Sequence, residues 1–371
     1  MLNFEKTVLV TKKKMSKQLK KNQRVSKRKE RGKRLFDRKT KIYKVLLCEE
    51  KPIDLVGEEK FDPPLELPPL SDSKLLQLLK DREIKGMSGN GFPAYRKLGN
   101  FLFSKKENSM LVVNAVECDP ALVHDDWLSV HRWEDILLGI RILAAACRFS
   151  KIVFVSRRKM RAPNDLGIHF KTISCRHPNG EEHYLLQDAL KISIPRTETP
   201  AQSKILVYNV QTVIMIGRAA MGLSTDYRYL TLADFETGRA TVCKVPYRYP
   251  IAKLLGENCQ SVDSGAMPFY GVSAFDAQPV TTSSTVAPET NFVGLARRLN
   301  FADPTKCVGC GACREKCPLA LPVDGYMRAF DYRRPIPAEI VTKCIACGAC
   351  TYFCKADVDV MHLILSARCG R

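Results

Sequence analysis

Residues 307–318 read Cys-Val-Gly-Cys-Gly-Ala-Cys-Arg-Glu-Lys-Cys-Pro, and residues 344–354 read Cys-Ile-Ala-Cys-Gly-Ala-Cys-Thr-Tyr-Phe-Cys. Both stretches follow the spacing C-x2-C-x2-C-x3-C, which is typical of the bacterial ferredoxin pattern for [4Fe–4S] clusters. A cubane cluster needs four thiolates that arrive from different directions, and three closely spaced cysteines on a turn cover one of its faces. Small residues between the cysteines let backbone N–H groups approach the sulfurs. The two runs therefore predict two [4Fe–4S] clusters.

The ligands of each cluster are expected to come from both runs, because in two-cluster ferredoxins the fourth cysteine of a run binds the other cluster. One predicted set is Cys307, Cys310, Cys313 and Cys354, and the other is Cys344, Cys347, Cys350 and Cys317. Zinc sites and disulfides are the alternatives, but zinc sites usually use paired C-x2-C motifs without a third cysteine. The 26 residues between Cys317 and Cys344 exceed the linker of a compact ferredoxin and favour a helical variant of that fold.

Charge is concentrated at the amino terminus. The 371 residues carry a net charge of +20, and the segment 11–44 has 17 Lys and Arg against two acidic residues. Such a run repels itself and has little apolar surface to bury, so we predict a solvated tail over residues 1–45. The tail could bind an acidic partner or an anionic surface. Nucleic-acid binding is not favoured, because Phe36 and Tyr43 are the only aromatic residues beyond position 10 in this tail on which bases could stack.

The rest of the chain has the composition of a globular protein. Hydrophobic residues make up 45% of the sequence, enough for two or three domains with buried cores. No apolar run approaches the ~20 residues needed to cross a bilayer. No apolar segment follows the basic residues as it would in a secretory signal, so we expect a cytoplasmic chain.

Strands and helices alternate upstream of the cysteine runs. Apolar periodicity predicts helices over 71–84 and 131–147, and strands over 111–116, 151–155 and 205–208. This alternation predicts a doubly wound, parallel α/β layer. A glycine-rich loop at 86–93 can present bare backbone N–H groups to a phosphate. Acidic residues follow the first strand, at a place where α/β sheets bind ligands. The nearby His124 and His131 are expected to be surface histidines.

A family resemblance rests on several of these segments. Residues 86–98, G-M-S-G-N-G-F-P-A-Y-R-K-L, resemble the flavin loop G-x-G-G-A-G-F-P-T-x-x-K-L of RnfC-type electron-transfer proteins. These proteins are relatives of the NADH-binding flavoprotein subunit of respiratory complex I. Residues 114–120, N-A-V-E-C-D-P, resemble the family's N-G-A-E-C-E-P, and the segments 177–181, 208–212 and 264–271 resemble later motifs in the same order. The resemblance covers about residues 70–368.

The resemblance implies a fold and a function. The implied domains are a Rossmann-like flavin- and NADH-binding domain over 46–218, a small β-grasp module over 219–285, and a helical two-cluster ferredoxin-like domain over 286–371. The implied function is electron transfer from FMN, and from NADH as substrate, through two [4Fe–4S] clusters to a partner protein. The chain would be a subunit of an NADH- or ferredoxin-linked oxidoreductase, at a membrane-associated complex or, as in the shorter cobalamin-reductase relatives such as PduS, in a microcompartment.

The resemblance also implies flavin-site residues. FMN would lie near Gly86, Gly89, Gly91, Lys97, Asn114, Glu117, Asn209 and Thr212. Lys97 would neutralise the phosphate, and Glu117, the one catalytic candidate, would lie where the nicotinamide or its ribose arrives. Ser88, Asn90, Ala94 and Val116 depart from the family pattern. A flavin-free iron–sulfur relay with a degenerate flavin site therefore stays open as the alternative.

Overall fold

The structure is a computed structural model. It describes residues 47–49, 51–57, 70–89, 91–104, 107–119, 121–160, 166–173, 178–235, 237–259, 266–273, 277–296, 302–331 and 333–368. The predicted basic tail over residues 1–45 lies outside the described residues. Among the helices of the described residues, none combines the length and the apolarity that a bilayer crossing requires.

The described strands fall into two sheets. They are β1 (Leu47–Cys48), β2 (Ile53–Asp54), β3 (Met110–Ala115), β4 (Lys151–Ser156), β5 (His169–Thr172), β6 (Ile205–Asn209), β7 (Tyr227–Asp234), β8 (Arg239–Pro246), β9 (Met267–Gly271), β10 (Ala277–Pro279) and β11 (Phe292–Ala296).

The described α-helices lie between and after these strands. They are α1 (Asp72–Asp81), α2 (Ala94–Ser104), α3 (His124–His131), α4 (Trp133–Cys147), α5 (Glu182–Leu190), α6 (Val210–Ala220), α7 (Ile251–Asn258), α8 (Ala312–Glu315), α9 (Val323–Arg328), α10 (Ala338–Lys343), α11 (Ala349–Tyr352) and α12 (Val360–Arg368).

The first sheet is the predicted parallel layer. Its order is β5-β4-β3-β6, and all neighbouring strands run parallel. Alternate residues of each strand enter different cores: Leu111 packs with α1, α2, α4 and α6 on one face, and Val112 packs with α5 on the other. Because both faces are covered, β3 and β6 are continuous apolar runs rather than alternating ones. The predicted doubly wound arrangement is confirmed.

Helices α4 and α6 cross at two glycines. A Cβ atom on Gly139 would lie only 2.0 Å from the backbone oxygen of Val213, and one on Gly217 would lie 2.8 Å from the nitrogen of Gly139. Only glycine permits this backbone approach. The crossing sets the position of α6, whose first residues lie directly after β6 at the carboxyl edge of the sheet.

The second sheet corresponds to the predicted β-grasp module. Its order is β1-β8-β7-β11-β9-β10, with β2 also paired to β8. Strands β7 and β8 form an antiparallel hairpin, and α7 packs Leu254 and Leu255 against the apolar face of the sheet. The sheet also takes in β1, β2 and β11, which come from ranges predicted for the two flanking domains. The domain boundaries stay a prediction.

The carboxyl-terminal segment is built from short helices. Its core includes Leu321, Met327, Ile340 and Ile364, and cysteines of both runs pack against it. Helices α9 and α10 lie in the long stretch between the two runs. The predicted helical variant of the two-cluster fold is therefore confirmed.

Candidate functional site

The eight cysteines line two cavities. The first cavity is lined by Cys307, Cys310, Cys313 and Cys354, and the second by Cys317, Cys344, Cys347 and Cys350. In each cavity three cysteines come from one run and the fourth from the other. The folded chain therefore groups the cysteines into the two sets expected from the sequence.

The two runs share one backbone conformation. Gly311 and Gly348 begin α8 and α11 with φ values of 74° and 72°, in the left-handed region that favours glycine. The amide of Gly309 donates to Cys307 Sγ at 3.4 Å, and the amide of Ala346 donates to Cys344 Sγ at 3.3 Å. These contacts are the N–H···S hydrogen bonds that tune iron–sulfur clusters.

The thiols in these cavities fit a bound iron cluster. Burial raises the pKa of Cys313 and Cys347 to about 11, so both sulfurs are protonated at neutral pH unless a cation binds them. Bound iron would supply the positive charge that holds these sulfurs as thiolates. All eight cysteines are free thiols, so the disulfide alternative finds no support among the described residues.

The predicted flavin residues gather at the carboxyl edge of the first sheet. Asn209 caps α6, since its side-chain oxygen accepts from Gln211 N at 2.9 Å. Its amide donates to Asp125 Oδ2 at 2.6 Å. Thr212 lies in the first turn of α6. Its Oγ1 accepts from the amide of Met87 at 2.9 Å, and this bond anchors the glycine loop, whose described residues are 86–89 and 91. The end of β6 and the glycine loop are thus brought together, as the resemblance implies.

Asn114 and Lys97 lie beside the start of α5. Asn114, at the end of β3, donates from Nδ2 to the carbonyl of Gly180 at 2.9 Å. The Lys97 ammonium forms an ion pair with Glu182, and it lies 5.9 Å from the ring centre of Tyr208. Glu182 is a partner that the sequence analysis did not identify. No local pattern reveals it, because the two residues are 85 positions apart.

Glu117 belongs to a buried group of ionisable side chains. Glu117 Oε1 accepts from the amide of Asp125 at 2.6 Å and lies 4.0 Å from His124 Nδ1. His124 Nε2 lies 3.8 Å from Asp125 Oδ1, and Thr231 of β7 lies 3.0 Å from His124 Nδ1. The prediction that His124 is a surface histidine is wrong, since it is 1% exposed. His131 is exposed, as predicted.

Burial governs the protonation of this group. It raises the pKa of Glu117 well above its usual range, and the nearby Asp125 charge adds to the effect. It raises the pKa of Asp125 to about 7, against a hydrogen bond from Asn209 that lowers it. The pKa of His124 is lowered by burial and by the charge of Arg228. Burial in this group therefore favours the protonated form of the two carboxyls and the neutral form of the imidazole.

Replacing Asp125 by Asn should change how stability depends on pH. A carboxyl with a raised pKa in the folded state favours the fold when protonated, so wild-type stability falls as pH rises from about 4 to about 7. The expected slope is about 1.4 kcal/mol per pH unit. Asp125→Asn removes this contribution, so the variant should be the more stable protein at pH 7.5. Thermal unfolding at pH 5.5 and 7.5 measures the difference.

The exposed Asp81→Asn at the end of α1 is the matched control and should leave the pH profile as in the wild type. An Asp125→Asn profile parallel to the wild type, with no gain at pH 7.5, would show that Asp125 is ionised in the fold.

Arg228 is the buried charge that the sequence analysis missed. It is fully buried on β7 and donates to backbone carbonyls and to the side-chain oxygen of Asn291. A signal was present in the sequence: an arginine stands between Tyr227 and Tyr229 at the start of a strand whose residues are mostly apolar. Such an arginine needs several acceptors in the interior.

The chemistry of the carboxyl-edge residues fits a phosphorylated flavin. They provide an ammonium group, two amides, a hydroxyl and the amides of a glycine loop, which suit a phosphate and the polar edge of an isoalloxazine ring. In the structure these side chains are hydrogen-bonded or ion-paired with one another and with the backbone. FMN bound here would exchange some of these internal bonds for its own.

Comparisons with known proteins agree with this arrangement. Residues 79–218 match the family model of the Nuo51 FMN-binding domain, and residues 299–355 match that of the 4Fe-4S dicluster domain. The RnfC subunit of the ion-translocating oxidoreductase complex from Vibrio cholerae is 27% identical over 285 residues, 71% of this chain and 36% of that protein. The chain is similar in sequence to RnfC-type subunits. The predicted resemblance is thereby confirmed, and the domain matches support the predicted FMN and [4Fe–4S] cofactors.

Further RnfC-type relatives differ in how much of their length aligns. The corresponding subunit of the Na(+)-translocating ferredoxin:NAD(+) oxidoreductase complex from Acetobacterium woodii is 25% identical over 75% of this chain and 68% of its own length. The relative from Buchnera aphidicola is 29% identical over 68% of this chain and 52% of its own length. The chain spans only about a third of the Vibrio cholerae protein.

A solved structure supports the fold. A chain of an NAD+-reducing [NiFe]-hydrogenase, crystallised in the H2-reduced state, superposes with a TM-score of 0.51. The sequence identity is 16%, over 67% of this chain and 50% of that one. At this identity the likeness concerns the fold alone.

Proposed function

We propose that this chain transfers electrons through two [4Fe–4S] clusters to a partner protein, as a subunit of an RnfC-like oxidoreductase. The observation that carries the proposal is the pair of cavities, each lined by four cysteines drawn from both runs. Two clusters held in one small domain form a path for single electrons. The relation to RnfC-type subunits supports the same function.

Upstream of the clusters, we propose that FMN binds at the carboxyl edge of the first sheet. FMN supplies the conversion between two-electron carriers such as NADH and one-electron clusters. Lys97 would neutralise the phosphate, while Asn114 and Asn209 would hydrogen-bond the flavin. We propose that Glu117, which lies at the same edge, would hold a proton beside an arriving nicotinamide; its burial and raised pKa support this role. NADH as the electron donor rests on the resemblance alone.

The partner is proposed to belong to a membrane-associated electron-transport complex, to which the chain would bind peripherally. Relatives of this chain are named as subunits of ion-translocating complexes, which supports this location. The basic segment 11–44 suits the contact, because a dense positive run binds acidic proteins and anionic lipid surfaces.

Cofactor analysis of protein prepared without oxygen tests the function. We expect about eight irons and eight acid-labile sulfides per chain, with one extractable FMN and flavin absorption near ~450 nm. Iron without flavin would refute the FMN site and leave a flavin-free relay. Colourless protein without iron would refute the whole proposal.

A further inference from the structure

We propose that Arg228 of β7 and Asn291, directly before β11, are positioning residues for the described part of the glycine loop, residues 86–89 and 91. The proposal rests on the FMN site proposed above, because it concerns how the protein shapes that site. Neither residue belongs to the segments that resemble the family motifs, and neither lies in the first sheet. They act through the backbone of the loop rather than by touching the cofactor.

The peptide groups next to Met87 are held from two sides. Thr212 Oγ1 of α6 accepts from the amide of Met87 at 2.9 Å, and Arg228 Nη2 donates to the carbonyl of Met87 at 3.4 Å. The loop is also closed on itself, since the amide of Gly86 donates to the carbonyl of Phe92 at 2.8 Å. With these three bonds in place the peptides at the start of the loop cannot rotate freely, so the direction of the following N–H groups is set.

Every nitrogen of the Arg228 guanidinium donates at least one hydrogen bond. Its guanidinium donates to the carbonyls of Tyr229 and Pro288 as well as to Met87 and to Asn291 Oδ1. Burial lowers the pKa of Arg228 to about 10, so it remains charged at neutral pH. A buried guanidinium is tolerated only with such partners, and its planar fork can span several of them where a lysine ammonium cannot.

The second sheet also packs directly on the loop glycines. A Cβ atom on Gly89 would lie 2.4 Å from Val272 Cγ1 and 2.7 Å from Asn291 Nδ2. One on Gly91 would lie 2.5 Å from Glu289 Oε1, and both glycines have positive φ. Only glycine therefore fits at these two positions without moving the neighbouring side chains. It follows that the proposed FMN site needs Val272, Glu289 and Asn291 as part of its supporting structure.

The test compares Arg228→Lys and Asn291→Ala with the wild type in two measurements on anaerobically prepared full-length protein. The first is hydrogen exchange of the Gly86 and Met87 amides after FMN has been removed. The second is FMN affinity by fluorescence titration. Arg218→Lys is the matched control, because Arg218 is a buried arginine whose guanidinium donates to Ser224 O rather than to the loop.

In the FMN-free protein, the amides of Gly86 and Met87 should exchange hydrogen faster in both variants than in the control. Loss of a charged hydrogen bond to the loop should also weaken FMN binding about tenfold or more. Unchanged exchange in both variants would overturn the positioning role. If Arg228→Lys does not fold, Asn291→Ala decides, because it removes only the amide that holds the guanidinium.

The two proposals fail in different ways. If the wild-type protein binds no FMN, the proposed FMN site is refuted, while the exchange measurement still decides whether Arg228 and Asn291 hold the loop. If the wild type binds FMN and both variants bind it equally well, the positioning role is refuted and the FMN site stands.

Discussion

A chain with both Cys310→Ala and Cys354→Ala should keep one cluster, about four irons, whereas a chain with both Cys310→Ala and Cys317→Ala should keep none. Both double variants carry Cys310→Ala and one further substitution. The second cysteine comes from the other run but the same cavity in one variant, and from the same run but the other cavity in the other. Cys354 lines the cavity of Cys310, and Cys317 lines the other.

The reason is that a cubane that loses one of its four thiolates is no longer held by the protein. If each cluster were instead bound by the four cysteines of a single run, the two double variants would show the opposite iron contents. Cys310 and Cys317 would then belong to one cluster, and their joint loss would spare about four irons. Iron and acid-labile sulfide analysis of the two proteins therefore separates the crossed arrangement from the uncrossed one.

Controls keep this comparison interpretable. Cys259→Ala removes a half-buried free cysteine outside both runs and should retain about eight irons. The crossed assignment is contradicted if the Cys310–Cys354 pair loses all iron while the Cys310–Cys317 pair keeps half. Electron transfer should be lost in either pair, because the path needs both clusters, so activity alone does not discriminate.

Local patterns were enough for three of the four strands of the first sheet, but β5 was not predicted. The strands expected over 111–116, 151–155 and 205–208 are found at Met110–Ala115, Lys151–Ser156 and Ile205–Asn209. A strand buried on both faces is a continuous apolar run, so its limits are visible in the sequence. Helix α1 was also foreseen, over 71–84, with either Ser71 or Ser73 as its cap. In the structure Ser71 is the cap, and its hydroxyl accepts from the amide of Lys74. The two sets of cluster ligands were predicted from the spacing of the cysteines and from the rule that the fourth cysteine of each run binds the other cluster.

Contacts between distant segments could not be foreseen. His124 has acidic neighbours in the sequence and resembles a surface residue, yet β7 covers it from more than 100 positions away. Arg228 likewise donates to the carbonyl of Met87, which is 141 positions away in the sequence. Strands β1 and β2 join the second sheet by pairing with β8, and two strands of two residues each carry too little periodicity to reveal this. Such features follow from how the sheets pack, which no local pattern encodes.

Gly139→Ala should remove FMN binding while leaving both clusters in place. The added methyl group would lie 2.0 Å from the backbone oxygen of Val213, a distance that forces α4 and α6 apart. Overpacking of a core costs about 1–3 kcal/mol, and a clash with rigid backbone belongs at the upper end. Moving α6 displaces Asn209 at its cap and Thr212 in its first turn, which are the proposed flavin contacts and the anchor of the glycine loop.

Gly256→Ala provides the matched control on helix α7, because a Cβ atom there meets nothing within 4 Å. That substitution should be neutral or stabilise the protein by about 0.5–1 kcal/mol, as alanine favours a helix over glycine. Iron content should be unchanged in both proteins, since the cysteine-bearing segment has a core of its own. A Gly139→Ala protein with wild-type FMN affinity and an unchanged Tm would mean that the crossing of α4 and α6 does not set the geometry of the flavin site.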